Sequence, residues 1–360
     1  MTADFLIIGG GIAGVSAAAR LSALGSVTLL EAEPHLAHHA SGRSAALYEP
    51  RYGLPPVVEL SLASASHLHD TPGMLAPRGM MIVAGPGQDA EFSRDAEVMH
   101  LDRIGIDDAV SVVPVLDPRA VAHAAIADHA WDIDTDLLIQ SYAREARGRG
   151  ATFHTAARVV ALARDGGSWR AETPAGSFAG RVLVNAAGAW ADAVARMAGV
   201  RPLDLTPLRR SMARIPAPGG HDVSRWPMIF GVGESWYAKP DAGALIVSPA
   251  DEDPQEPHDA WADDMVLAEG LARYEAHVTE PVTRLLSSWA GLRTFAPDRV
   301  LAIGRAADDP AFFWLAGQGG YGFQTAPAAS RLVADLLGER PPELPAATVA
   351  ALDPARFGTA

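Results

Sequence analysis

Gly9, Gly11 and Gly14 keep the spacing G-x-G-x-x-G between the apolar run Phe5-Leu6-Ile7-Ile8 and a segment of helical periodicity. A short continuous apolar run stopped by glycines predicts a parallel strand buried on both faces. Ile12, Val15, Ala19, Leu21 and Leu24 then place an apolar stripe on a helix from Ile12 to about Leu24, with Gly25 as a left-handed stop. Val27 to Leu30 predicts the second strand, closed by Glu31 and Ala32. In such a βαβ unit the first glycine permits a tight turn, the second lets backbone approach a pyrophosphate, and the third lets helix and strand pack closely. The N–H groups of the helix start at Ile12 and Ala13 face the phosphates. Glu31 stands where a carboxylate accepts hydrogen bonds from a ribose diol. The unit predicts a dinucleotide site without choosing between FAD and NAD, since both carry an adenosine ribose.

A chain of 360 residues exceeds the usual single core, so two domains, or a nucleotide-binding domain carrying an insertion, are expected. The formal net charge of -14, with no Lys/Arg-rich run, argues against a nucleic-acid surface. The absence of cysteine excludes disulfides, thiolate metal sites, iron–sulfur clusters and a cysteine-linked flavin, and makes the reducing cytoplasm the expected compartment. Met1-Thr2-Ala3-Asp4 offers no basic region before its short apolar run, so it does not read as a signal peptide, and no apolar run reaches membrane-spanning length. The histidines keep no metal-ligand spacing, and no metal is expected.

Later segments bear on the cofactor. Arg181-Val182-Leu183-Val184 predicts another buried strand, running through Asn185-Ala186-Ala187-Gly188-Ala189-Trp190 into a helix that includes Val194 and Met197. Phe312 to Ala316 predicts a strand, followed by the turn Gly317-Gln318-Gly319-Gly320-Tyr321-Gly322 and a helix to about Leu337. Close-packed backbone at a helix start suits an electron-rich group such as the pyrimidine edge of a reduced flavin.

These motifs, with Ser41-Gly42-Arg43-Ser44-Ala45-Ala46, Ile133-Asp134-Thr135-Asp136, Arg209-Arg210-Ser211, Tyr237-Ala238-Lys239-Pro240-Asp241-Ala242-Gly243 and Trp289-Ala290-Gly291-Leu292-Arg293, run in order along nearly the whole chain. In them the chain resembles the FAD-dependent D-amino-acid oxidoreductase superfamily, which includes glycine and sarcosine oxidases, and within it is most similar to bacterial D-arginine dehydrogenases. The resemblance implies an α/β fold: a Rossmann-type FAD-binding domain of residues 1–50, 134–200 and 290–360, with an inserted α+β substrate domain of residues 51–133 and 201–289 on a mixed or antiparallel sheet. It implies noncovalent FAD, with Ser41, Gly42, Arg43, Ser44, Ala45, Ala46 and Leu47 along the flavin and Arg43 and Ser44 near the pyrophosphate. Val159 would meet adenine by its backbone. Gly188 and Trp190 would border the cofactor, and Gly319, Gly320, Tyr321, Gly322, Phe323 and Gln324 would line the isoalloxazine.

Oxidation of an amino acid by hydride transfer requires a fixed carboxylate and a Cα–H set against the oxidant. A planar guanidinium fork matches a carboxylate. By resemblance the clamp is Arg210, chosen over its neighbour Arg209, together with Arg293; Tyr237 adds a phenolic hydrogen bond and Tyr52 sits on a lid. The imino acid would leave to hydrolyse to a 2-oxo acid and ammonia. Where D-arginine dehydrogenases carry a glutamate facing a cationic side chain, this chain has Gly79; Leu47 replaces a histidine, and Phe323 is bulkier than its counterpart. The pocket, with Leu47, Gly79, Gly320 and Phe323, is therefore expected to favour neutral or hydrophobic D-amino acids. Glu49 and Arg51 are charged neighbours of the lid, and an inward Arg51 would favour an acidic substrate. Oxidases of the superfamily often carry a lysine on the strand after the Tyr-x-x-Pro segment; Ala244 to Val247 has none, which points to a dehydrogenase passing electrons to a quinone or another acceptor. Oxidation of N-methyl amino acids or 2-hydroxy acids, a flavin subunit of a larger electron-transfer complex, and an NAD-dependent reductase remain as alternatives.

Overall fold

The computed structural model describes residues 2–358. Thr2–Ile8 is the central strand of an eight-stranded sheet, parallel to Val27–Leu30 on one side and to Gly176–Asn185 on the other. Thr152–His154 extends it beyond Val27–Leu30. On its far side Gly176–Asn185 pairs by its first half with Ser168–Thr173 and by its last residues with Phe312–Ala316. Phe5 and Ile7 enter one apolar cluster, with Val15, Leu138, Tyr142 and Leu332, while Leu6 and Ile8 enter another, with Trp169, Phe312 and Trp314. Both sheet faces are thus buried, which is why these strands read as unbroken apolar runs.

The helix after the glycine turn spans Ile12–Leu21, shorter than expected. Leu24 is 38% exposed and lies off the buried stripe, and Gly25 is not left-handed. What requires glycine there is Asp4, whose Oδ2 would stand 2.6 Å from an added Cβ.

The second eight-stranded sheet runs Ser287–Phe295, Thr206–Pro216, Ala244–Ser248, Tyr237–Asp241, Met228–Gly231, Met80–Ala84, His123–Ala127 and Asp102–Ile104. Its neighbours are antiparallel except for Met228–Gly231 beside Met80–Ala84, so the sheet is mixed. The strand Ser287–Phe295, on which the expected boundary at residue 290 falls, belongs to this sheet. Alternation sorts its side chains. Met81, Val83, Ile229, Ala238, Leu245 and Val247 face one cluster; Met80, Ile82, Met228, Phe230, Tyr237 and Met212 face another. The second face carries the candidate site. A small third sheet, Leu47–Tyr48 with Trp131–Ile133 and Leu75–Pro77, braces the chain just beyond the Ser41 to Leu47 loop.

Candidate active site

The glycine turn is closed so tightly that side chains are excluded on geometric grounds. Gly9 has φ +110°, and an added Cβ would lie 2.3 Å from the Ala186 carbonyl oxygen; on Gly14 it would lie 1.9 Å from the Gly9 carbonyl oxygen. Gly11 faces Ser41, whose hydroxyl accepts the Ile12 N–H at 3.0 Å. The next first-turn N–H groups, which a helix leaves unpaired, remain for an anion. Glu31 is buried and accepts the N–H groups of Gly10 at 2.6 Å and Glu33 at 2.8 Å, which fixes its carboxylate at the strand end.

Three adjoining cavities run from this point. The first is bordered by Gly9, Gly11, Glu31, Ala32, Ser41, Arg43, Val159, Gly188 and Trp190. The second shares Gly11, Ser41, Arg43 and Gly188 with the first and adds Ile12, Ala13, Ser44, Ala45, Gly319, Gly320, Gly322 and Phe323. The third shares Ser44, Ala45 and Gly320 with the second and adds Ala46, Leu47, Tyr52, Tyr237 and Gln324. Arg210 and Arg293 border both the second and the third. A continuous track from a buried acid, past a helix start, to a pair of guanidinium groups fits the adenosine, pyrophosphate and ring of FAD in that order.

Several expected site residues stand elsewhere. Gly14 packs beneath the track, and Gly42 lies under the loop, where a Cβ would meet the Ala37 carbonyl oxygen at 2.3 Å. Tyr321 packs on Tyr52 at 5.4 Å between ring centroids, outside the cavity walls. Gly79 borders none of the three cavities: at φ +70° it turns the chain against Ala127 and Pro227, and the next residue, Met80, supplies the wall. Phe323 borders the second cavity and not the third, so it faces the cofactor track and not the far pocket. Arg43 donates to the carbonyl oxygens of Ala260 and Ala290 and pairs with Asp259, which ties the loop to the second sheet's edge. Glu33, His38 and His39, at the mouth of the first cavity, bring ligand atoms within 4.8 Å of one another, a juxtaposition the sequence spacing does not show. There His39 lies 3.2 Å from Glu33 and packs on Trp190 at 4.6 Å.

Register explains the arginine pair. Arg210 lies opposite Gly291, and Leu208 opposite Arg293, so the two arginines are diagonal neighbours on one face of adjacent antiparallel strands. Arg209 points the other way and is taken by Asp251 at 3.0 Å and Asp253 at 2.6 Å. Arg210 is 4% exposed; its Nη2 pairs with Glu252 at 3.1 Å, while Nε and Nη1 are buried without a partner. Arg293 has no ion pair among the described residues. Burial is the largest influence on it and opposes its charge, but Tyr237, Tyr52, Glu234 and Glu252 hold its pKa above the ordinary arginine value. The Tyr237 hydroxyl donates only to the Met212 sulfur at 3.2 Å, a weak acceptor that a carboxylate would displace. Tyr52 and Glu234 both border the third cavity, and the Tyr52 hydroxyl donates to Glu234 at 2.9 Å.

Glu234, Lys239 and the wall of Met80, Met99, Met228 and Phe230 carry weight that the sequence reading did not give them, and Glu49, there a charged neighbour of the lid, borders the third cavity. Lys239 shares the face of Tyr237, two residues on; its ammonium donates to the carbonyl oxygens of Ala45 at 2.6 Å and Ala46 at 3.1 Å and pairs with Asp132 at 2.8 Å. It anchors the loop beside the track, and the period-2 alternation from Tyr237 was the signal that could have found it. Arg51 is exposed and Glu49 is the inward charge, so the basis for an acidic substrate is absent. Burial, the largest influence, pushes the Glu49 carboxyl from its ordinary 4.5 up to about 7, against the pull of Arg51 and of the Arg51 and Tyr52 backbone N–H groups. Because the folded value is the higher one, the contribution to stability is complete below about pH 4.5 and is lost as pH rises through about 7. Glu49→Gln is therefore expected to raise Tm at pH 8, by up to roughly 3 kcal/mol of stability, and to change it little at pH 5. Thermal unfolding at the two pH values checks this, and an equal shift at both would contradict it.

The chain matches the family model described as DAO, FAD dependent oxidoreductase, over residues 4–336. It is 28% identical to the tRNA 5-methylaminomethyl-2-thiouridine biosynthesis bifunctional protein MnmC of Burkholderia vietnamiensis, over 98% of this chain and 59% of that protein. It thus spans about three-fifths of the length of such relatives. Among solved structures it is similar to glycine oxidase from Geobacillus kaustophilus, with a TM-score of 0.82, 21% identity and coverage of 99% of each chain. It is likewise similar to L-proline dehydrogenase from P. horikoshii, with a TM-score of 0.82, 22% identity and coverage of 99% of this chain and 98% of that one. No helix among the described residues is long and apolar enough to cross a membrane. With the glycine cradle, the buried acid and the track between them on one sheet edge, the match along most of its length places the chain in the family of FAD-dependent oxidoreductases.

Proposed function

We propose that the chain is a dehydrogenase that oxidises D-amino acids to 2-oxo acids and ammonia through an imino acid, using noncovalently held FAD. The observation that carries the reading is the pair Arg210 and Arg293 at the inner end of the cofactor track, with two buried nitrogens of Arg210 unpartnered. Buried donors without partners are costly, and a substrate carboxylate satisfies them. Bound FAD supplies the two-electron oxidant. The protein's part is to bind and orient: Arg210 and Arg293 hold the carboxylate, Tyr237 donates to it, and Tyr52 with Glu234 closes the pocket against water. No side-chain base is needed, since the α-hydrogen would leave with its electron pair and the substrate ammonium can lose its proton to water. The proposed division of labour has residues 1–50, 134–200 and 290–360 holding the cofactor and residues 51–133 and 201–289 shaping the pocket, with Leu47, Glu49 and Arg293 reaching the pocket from the cofactor segments.

The D configuration rests on the motif resemblance. The dehydrogenase assignment rests on the apolar strand Ala244–Ser248 and on Lys239, whose ammonium is occupied by two carbonyl oxygens and Asp132 and is not free to draw in oxygen. A quinone or a comparable carrier would take the electrons. The MnmC proteins are named for work on tRNA; a net charge of -14 supports a small-molecule substrate here instead. The expectation of a hydrophobic side chain leaned on Gly79, Leu47 and Phe323; of these Leu47 borders the third cavity, where Met80, Met99, Met228 and Phe230 suit an alkyl stem. Product analysis tests the reading. Equimolar ammonia and 2-oxo acid from D-amino acids with an artificial acceptor are expected, whereas turnover of sarcosine or a 2-hydroxy acid without ammonia would favour the N-methyl or hydroxy-acid alternative.

A further inference from the structure

Glu49 follows the short strand Leu47–Tyr48 and is 3% exposed. Its Oε1 accepts the Arg51 N–H at 3.1 Å and has His129 Nε2 at 3.6 Å, while Oε2 is buried with no partner among the described residues. A carboxylate that served only the fold would spend both oxygens on donors, because a buried, half-satisfied anion is strongly unfavourable. Oε2 belongs to a residue that borders the third cavity, the same cavity that Arg210 and Arg293 enter. The charge acting on Glu49 is Arg51, and the acids acting on Arg293 are Glu234 and Glu252. Glu49 and the arginine clamp thus border one cavity, whose lining also carries Met80, Met99, Met228 and Phe230.

We propose that Glu49 is the specificity residue of this pocket, its Oε2 taking the ammonium or guanidinium at the end of a substrate side chain whose carboxylate is held by Arg210 and Arg293. This rests on the carboxylate-binding reading of the arginine pair given above. The methionines and Phe230 would cover the alkyl stem, and the cation would supply the donor that Oε2 lacks. The upward push on the Glu49 carboxyl is what an anion awaiting its counterion experiences, and arrival of a cation would reverse it. The chain would then select basic substrates from a different element than the Gly79 turn.

The test uses FAD-loaded protein at pH 8 and two unreactive carboxylates of equal length, hexanoate and 6-aminohexanoate, with binding read by calorimetry. Wild type is expected to bind 6-aminohexanoate about ten-fold or more tightly than hexanoate, and Glu49→Gln, checked for its flavin spectrum and unfolding, is expected to bring the ratio near one. In turnover the ratio of kcat/KM for D-lysine over D-norleucine should fall by a similar factor in Glu49→Gln. Preference for hexanoate in wild type, an unchanged ratio in the variant, or binding of neither carboxylate overturns the proposal. If the binding preference holds but no D-amino acid is oxidised, the Glu49 assignment stands and the proposed reaction falls. If D-norleucine is oxidised with ammonia release and no cation preference appears, the reverse is true.

Discussion

Arg293→Met is expected to lower kcat/KM for a D-amino acid by about a thousand-fold, ~4 kcal/mol, with FAD still bound. Arg210 already spends Nη2 on Glu252, which is itself shared with Arg299 at 2.9 Å, so part of its charge is committed within the protein. Arg293 has no such partner, and its guanidinium lies beside the backbone of Gly320, where an added Cβ would stand 3.1 Å from Nη1. That places its fork at the junction of the cofactor track and the pocket. Arg293→Lys restores the charge without the fork and should recover only a small part of the loss. Steady-state kinetics with flavin content measured on the same samples checks both variants, and a loss under about ten-fold for Arg293→Met would remove this residue from the clamp.

Gly14→Ala is expected to yield protein that is purified without flavin, its FAD affinity reduced by at least about a hundred-fold. The added Cβ would sit 1.9 Å from the Gly9 carbonyl oxygen. Gly9 cannot retreat, because at φ +110° its own Cβ position is 2.3 Å from the Ala186 carbonyl oxygen on the next strand. The helix must therefore shift away from the sheet, and the N–H groups that it presents to the track shift with it. Gly148→Ala is the useful contrast: it borders none of the three cavities and nothing lies within 4 Å of an added Cβ, so it should keep its flavin. Flavin absorbance against circular dichroism separates lost binding from lost folding, and a Gly14→Ala protein that is fully yellow would contradict the packing argument.

The FAD unit was legible because its constraints are local. Alternation between two apolar clusters makes Thr2–Ile8 and Phe312–Ala316 continuous hydrophobic runs, and the spacing of Gly9 and Gly14 follows from their contact across one turn. For Arg209 and Arg210 alternation told only that one of them could face the cavity, since adjacent strand residues face opposite sides; the choice of Arg210 came from the motif resemblance. Glu49 was not legible. It follows a strand of two residues, too short to have a period, and its inward direction is set by Gln324, whose Oε1 accepts the Glu49 N–H at 3.2 Å from 275 positions away. Gly79 misled for the complementary reason. Its neighbour Met80 holds the wall, a one-residue offset that reverses which side chain a strand offers to the pocket. Glu234 lies on a turn at φ +51°, where no periodicity connects it to Tyr52.

The central claim is that the arginine pair presents an amino acid to bound FAD. Anaerobic absorbance of the FAD-loaded protein, mixed in turn with D- and L-enantiomers of lysine, leucine and glutamate, tests it most directly. Loss of the oxidised flavin bands with D-amino acids, absent with their L-enantiomers and abolished in Arg293→Met, is the predicted result. Flavin that stays oxidised with every amino acid would contradict the claim and turn attention to a flavin-carrying subunit that works only with a partner.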